Sequence, residues 1–113
     1  MIKLRPILDS SVVATVELAV GHAVALHALE VQNPNGSDGW LQLFDAAAAA
    51  DVTIGTTAPK QSYLIPNNGA NDKAFGDNPI GFGLGLCYAV TTTATGLTAL
   101  GTGCVLNLAV SGG

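Results

Sequence analysis

Turn-forming residues break this chain at such short intervals that short strands are the natural occupants of the segments between them. Gly21, the run Asn33-Pro34-Asn35-Gly36-Ser37-Asp38-Gly39, the stretch Thr56-Thr57-Ala58-Pro59 and the stretch Pro66-Asn67-Asn68-Gly69 supply φ-permissive residues, fixed-φ prolines and side chains that bond their own backbone. Thr, Val, Gly and Leu recur between these clusters, and helical periodicity is nearly absent. The run Ala46–Ala50 is helical by propensity, but an isolated helix in water needs roughly 12 residues, so one turn or a loop is expected there.

Read from the N-terminus, residues 1–10 form an arm and residues 11–113 one domain. Val12–Val20 and His22–Gln32 read as strands joined at Gly21, and Trp40–Phe44 as the next strand. Val52–Ile54 and Gln61–Ile65 follow, then a polar loop at Ala70–Asn78, then Ile80–Val90, a Thr/Gly loop at Thr91–Gly103 and Cys104–Val110. About seven to eight short antiparallel strands with closely spaced turns make an all-β domain, a single β-sandwich or jelly-roll-like fold. No strand alternates with a long helix, which disfavours a parallel α/β sheet.

Charge limits the surface. Only 11% of residues are Asp, Glu, Lys or Arg, against about 25% in ordinary soluble domains. From Asn78 to Gly113 there is no charged side chain, so part of that surface is expected to face another protein. A membrane span is not expected, since Gly, Thr and Asn interrupt every apolar run well short of about 20 residues. A net charge of -4, with Lys3, Arg5, Lys60 and Lys73 the whole basic complement, argues against nucleic acid. Met1–Ser10 lacks an apolar run followed by a cleavage site, so use without export is expected.

Candidate chemistry is sparse. His22 and His27 fall five residues apart in one expected strand and so point to opposite faces, which rules out a shared metal. Asp45 and Asp51 bracket the alanine run, but no base or nucleophile accompanies them, so they read as solvated loop carboxylates. Gly81, Gly83 and Gly85 have the wrong spacing for a dinucleotide loop and read as one small-residue face of a strand. Neither catalytic residues nor a cofactor are expected. Trp40 reads as a core or rim residue, with a sugar-stacking platform as the alternative. Cys87 and Cys104 are expected to face each other across a hairpin, as free thiols in a reducing compartment or as a disulfide.

Two strings carry a family resemblance: His27-Ala28-Leu29-Glu30-Val31-Gln32-Asn33-Pro34-Asn35, and Trp40-Leu41-Gln42-Leu43-Phe44-Asp45-Ala46-Ala47-Ala48. With Val52-Thr53-Ile54-Gly55-Thr56-Thr57-Ala58-Pro59-Lys60 and the segment ending in Thr91-Thr92-Thr93-Ala94-Thr95-Gly96, the chain resembles small virion structural proteins of tailed bacteriophages over nearly everything after Gly21. The resemblance implies a β-sandwich virion component assembled in the host cytoplasm. A capsid decoration (cement) protein comes first, a tail or baseplate subunit second, and a carbohydrate-binding module of a fibre third. Its partners would be the major capsid protein or other virion subunits, and its copies would form a homo-oligomer, a trimer by analogy with the three-fold sites of capsid lattices. Interface candidates are Ile2 and Leu4 of the arm, expected to add along a neighbour's sheet edge, the aromatics Trp40, Phe75 and Phe82, and Leu97 and Leu100 in the Thr-rich loop, which either insert into a neighbour or fold back onto the core.

Overall fold

The computed structural model describes Leu4–Gly112. Among these residues nine strands form: β1 (Arg5–Val12), β2 (Glu17–Val20), β3 (Val24–Gln32), β4 (Gly39–Asp45), β5 (Gln61–Ile65), β6 (Ala70–Ala74), β7 (Ile80–Phe82), β8 (Leu86–Thr91) and β9 (Cys104–Ser111). A 3-10 turn at Ala49–Asp51 is the alanine run's only helical element. β9 shows why these segments are strands: Cys104, Leu106, Leu108 and Val110 are buried, while the residues between them are not. β3 follows the same alternation except at His27 and Ala28, two half-buried residues between buried Leu26 and Leu29, where its register against β9 shifts. That is a β-bulge, with one extra residue on β3.

The strands lie in two antiparallel sheets. One runs β1-β9-β3-β6, with β7 continuing the lane of β6 along the same edge of β3; the other runs β2-β8-β4-β5. With β6 and β7 sharing a lane, four lanes face four, and the chain crosses between sheets after β1, β2, β3, β5, β7 and β8. This is the double Greek key of a jelly roll. Leu26, Val31, Leu41, Leu43, Ile65, Phe82, Leu86 and Leu106 fill the space between the sheets.

Several expectations change. Arg5–Ser10 is not an arm but part of β1, paired to β9 of its own domain. The expected strand Val12–Val20 is divided: the chain leaves the first sheet at Val12 and enters the second at Glu17. His22 lies outside any strand, and Val52–Ile54 leads into a turn rather than forming a strand. Ala70–Asn78 contains β6, whose sequence Ala-Asn-Asp-Lys-Ala is polar because it is an exposed edge, and charge there blocks further pairing. Ile80–Val90 is broken at residues 83–85, where the Asp45 carboxylate accepts hydrogen bonds from the backbone N–H groups of Gly83, Leu84 and Gly85 at 3.2, 2.8 and 3.4 Å. The three glycines therefore share no face. Gly81 and Gly83 border open space, whereas a Cβ at Gly85 would stand 2.5 Å from the carbonyl oxygens of both Val20 and Ala46.

Cys87 and Cys104 are not hairpin partners, because β8 and β9 belong to different sheets. Cys104 lies opposite Val12 in the central core, and Cys87 lies opposite Phe44 on the outward face of the second sheet. Both are buried and free. Burial raises both thiol pKa values, and the charge of Asp51 raises that of Cys87 further. A chromogenic thiol reagent is expected to find both thiols after denaturation and to react far more slowly with the native protein. Titration of the denatured protein without reducing agent checks this.

One hydrogen bond spans the sandwich near its β1 edge. Tyr88 of β8 is buried, and its hydroxyl donates to Asp9 Oδ2 of β1 at 2.8 Å, while Asp9 Oδ1 accepts from the N–H of Ser11 at 3.0 Å. Burial first, then the Asp9 bond and the charges of Asp9 and Glu17, hold the hydroxyl protonated well above the usual phenol value of 10.0. Tyr88→Phe is expected to cost about 1–3 kcal/mol, as for a hydrogen bond to a charged group. A raised folded-state pKa means that the unfolded chain loses its proton first. This contribution is therefore complete below the unfolded value and declines as pH rises above it. Urea unfolding at about pH 8 and about pH 11 should show the wild type losing more stability than Tyr88→Phe over that interval.

Candidate interaction surfaces

β4 and β8 alternate like any strand, yet nearly every residue in them is buried. Leu41, Leu43, Leu86 and Val90 face the opposite sheet, and Phe44, Cys87 and Ala89 face outward beneath the segment that joins β4 to β5. That segment contributes Ala46, Val52 and Ile54 to a second, smaller apolar cluster, with Val16 closing one side.

The remainder of this outer face is covered by the segment between β8 and β9, held down by Gln42. This residue is fully buried, and its side-chain N–H2 donates to Thr91 Oγ1 at 2.6 Å and to the carbonyls of Gly96 and Thr93 at 3.0 and 3.5 Å. Thr91 Oγ1 donates its own proton to the Thr93 carbonyl at 2.8 Å, so it accepts from Gln42 and fixes which way the amide points. Ser62 Oγ adds a bond to the Ala94 carbonyl at 2.8 Å. Sequence reasoning passed over Gln42; a polar residue in the apolar run Trp40-Leu41-Gln42-Leu43-Phe44 is the signal that could have found it.

A second polar hub ties three turns at one end of the sandwich. Buried Asn33 donates to the carbonyls of Ser37 and Ile65 at 2.9 and 3.2 Å and accepts from the N–H of Asn35 at 2.9 Å. Asn35 in turn donates to the Thr102 carbonyl at 2.8 Å and accepts from the Thr102 N–H at 2.7 Å. These asparagines, which as a sequence mark only a turn, join the 33–38, 65–69 and 101–103 segments.

The expected interface residues are dispersed over this framework. Phe82 is fully buried in the central core, with Lys60 Nζ 5.5 Å from its ring centroid, and cannot meet a partner. Phe75 and Leu100 are half-buried against the same core, and Leu100 occupies the space that a Cβ on Gly39 would need. Trp40 is half-buried between Leu64 and Thr91. Leu97 is 65% exposed and leans on Gly55, and Leu4 is 49% exposed. Ile2 lies outside the described residues. The sequence reading did not single out Leu8 and Leu84, which are 66% and 61% exposed. The outward face of the first sheet carries a shallow groove of about 410 Å³, crossed by Pro6, Ala109, Ala28 and Ala74 and bordered by Glu30 and Asp72.

The titratable residues are dispersed too. His27 Nε2 is 2.6 Å from Ser111 Oγ, and the exposed His22 has Nδ1 3.3 Å from the Ala23 carbonyl oxygen. Asp45 is committed to the 83–85 turn. Burial would raise its pKa, but the three backbone N–H groups and the charge of Lys60 outweigh that and hold it below the ordinary carboxylate value. Asp51 is exposed. Among the described residues no three His, Cys, Asp or Glu side chains converge as metal ligands would, and no helix is long and apolar enough to cross a membrane.

Gln42→Leu keeps the volume but strands the Gly96 carbonyl; it is expected to cost about 1–3 kcal/mol and to open the 92–103 segment to proteolysis. Gln42→Glu should cost more, since a carboxylate would face three acceptors. Denaturant unfolding with limited proteolysis checks both. Compared with protein-family models, curated proteins and solved structures, the chain matches none.

Proposed function

We propose that the chain is a structural protein of a phage virion, in first place a capsid decoration protein that binds the capsid lattice and stabilises it. The observation that carries this reading is Leu97. It is an apolar side chain two-thirds exposed on a segment pinned by Gln42 and Ser62, so it is presented at low entropic cost to whatever covers it. The jelly roll is a frequent architecture of capsid domains, which supports the reading by analogy of fold. The sequence resemblance to virion proteins and the scarcity of charge support it further. Attachment to a tail or baseplate is the alternative, and the position of the chain in the particle separates the two.

Cryo-electron microscopy of the phage particle, with this chain located in density, tests the proposal. Density on the capsid lattice is expected; absence from the particle overturns it. Leu97→Asp should lower occupancy on the particle because the carboxylate would lose hydration at the contact, while changing the stability of the isolated domain by no more than about 1 kcal/mol. Leu100 is unsuitable as a companion substitution, since its side chain packs on the core.

A further inference from the structure

β1 is a sheet edge with a ladder partner, β9, on one side only among the described residues. Its regular part is Arg5–Asp9, where each residue is matched in turn with Val110 back to Leu106; beyond Asp9 the register shifts. Ile7 is the centre of this five-residue stretch, with a positive charge at one end and a negative charge at the other. Arg5, Ile7 and Asp9 share the inward face: Ile7 packs on the core and Asp9 accepts from Tyr88. Pro6 and Leu8 point outward, and Leu8 is one of the most exposed apolar side chains described.

We propose that β1 pairs antiparallel with β1 of a second copy, about a two-fold axis through Ile7, to join two first sheets into one. Directly opposed residues in an antiparallel pair share a face, so the axis must pass through a residue if both cores are to lie on the same side. Centring on Ile7 sets Arg5 of each copy opposite Asp9 of the other, two complementary pairs in a chain with only four basic side chains. It also sets Leu8 against Pro6 twice, covering the exposed leucine. The neighbouring centres are worse. Centring on Pro6 opposes two residues that have no N–H to donate, and centring on Leu8 leaves Arg5 facing Ser11 and Asp9 facing Ile7. Asp9 keeps its bonds to Tyr88 and Ser11, and Arg5, which donates to the Gly112 carbonyl at 3.1 Å, has further N–H groups for the partner.

This pairing does not rest on the virion reading, and it gives the association two-fold symmetry where the analogy with lattices suggested three-fold. The contact is smaller than a standard interface of about 800 Å² per partner, so a dissociation constant on the order of micromolar is expected. Sedimentation velocity from about 1 to about 100 μM should then show a monomer–dimer equilibrium that weakens with salt. Arg5→Asp, at an exposed strand end, places like charges opposite each other twice and should weaken the dimer roughly tenfold or more. Asp9→Arg should do the same, and an equimolar mixture of the two variants should recover the wild-type affinity, because each strand again meets the opposite sign. If Asp9→Arg does not fold once the Tyr88 acceptor is lost, Arg5→Asp against wild type still decides. A wild type that is monomeric throughout or trimeric, an Arg5→Asp chain that associates as tightly as wild type, or two folded variants that fail to pair would each overturn the proposal.

Discussion

Leu41, Leu43, Leu86 and Val90 pack against the opposite sheet, while Gln42, Phe44, Cys87 and Ala89, their neighbours along β4 and β8, are covered from the other side. A sheet buried on both faces cannot hold charge, so the central strands read as nearly continuous apolar runs. The requirement also explains the long connections. The 46–60 and 92–103 segments lie as an outer layer over the second sheet, and Gln42 is the polar side chain on β4 that anchors the latter.

The two sheets consequently differ in character. The second is enclosed, with apolar matter on both sides and its polar atoms spent on holding the outer layer. The first is enclosed on one face, and its other face is a plain of small and polar residues, Ala28, Ala74, Ala109, Asn107 and Glu30. On the virion reading the outer layer of the second sheet, with Leu97 standing on it, would meet the lattice; that leaves the open edge of the first sheet for the pairing with a second copy, which is proposed independently of that reading.

Much of the fold was legible because turn chemistry and alternation are local. β4, β5 and β9 stand within a residue or so of where Gly, Pro and Asn clusters bracket apolar alternation, and the alanine run makes its one turn. What alternation cannot convey is which sheet a strand joins. β8 and β9 are consecutive strands joined by one Thr/Gly loop, so a hairpin facing Cys87 with Cys104 is the simplest local reading, but the crossover sends them to opposite layers. β6 was hidden for the converse reason, because an edge that must repel further strands carries the polar sequence of a loop. Among the interface candidates, exposure depended on which way each side chain turned. Phe82 turns into the core between two glycines, Leu97 outward and Leu100 inward, although the two leucines are three residues apart in one loop.

The partnership of β1 with β9 has a bearing on how the protein is made. The first described strand is matched with the last, Arg5 with Val110, and among the described residues β9 is also the only link between β1 and β3 in the first sheet. A nascent chain emerging from the ribosome therefore carries β1 with both of its edges and the side chain of Ile7 unclaimed until β9 has been translated. Local pairs such as β4 with β5 can assemble beforehand, but closing the first sheet is a late event that spans nearly the whole described sequence, the kind of distant pairing that slows folding. Loss of β9 would leave β1 without a ladder partner in its own domain and strip β3 of one side, so removing the last strand alone is enough to dismantle the first sheet.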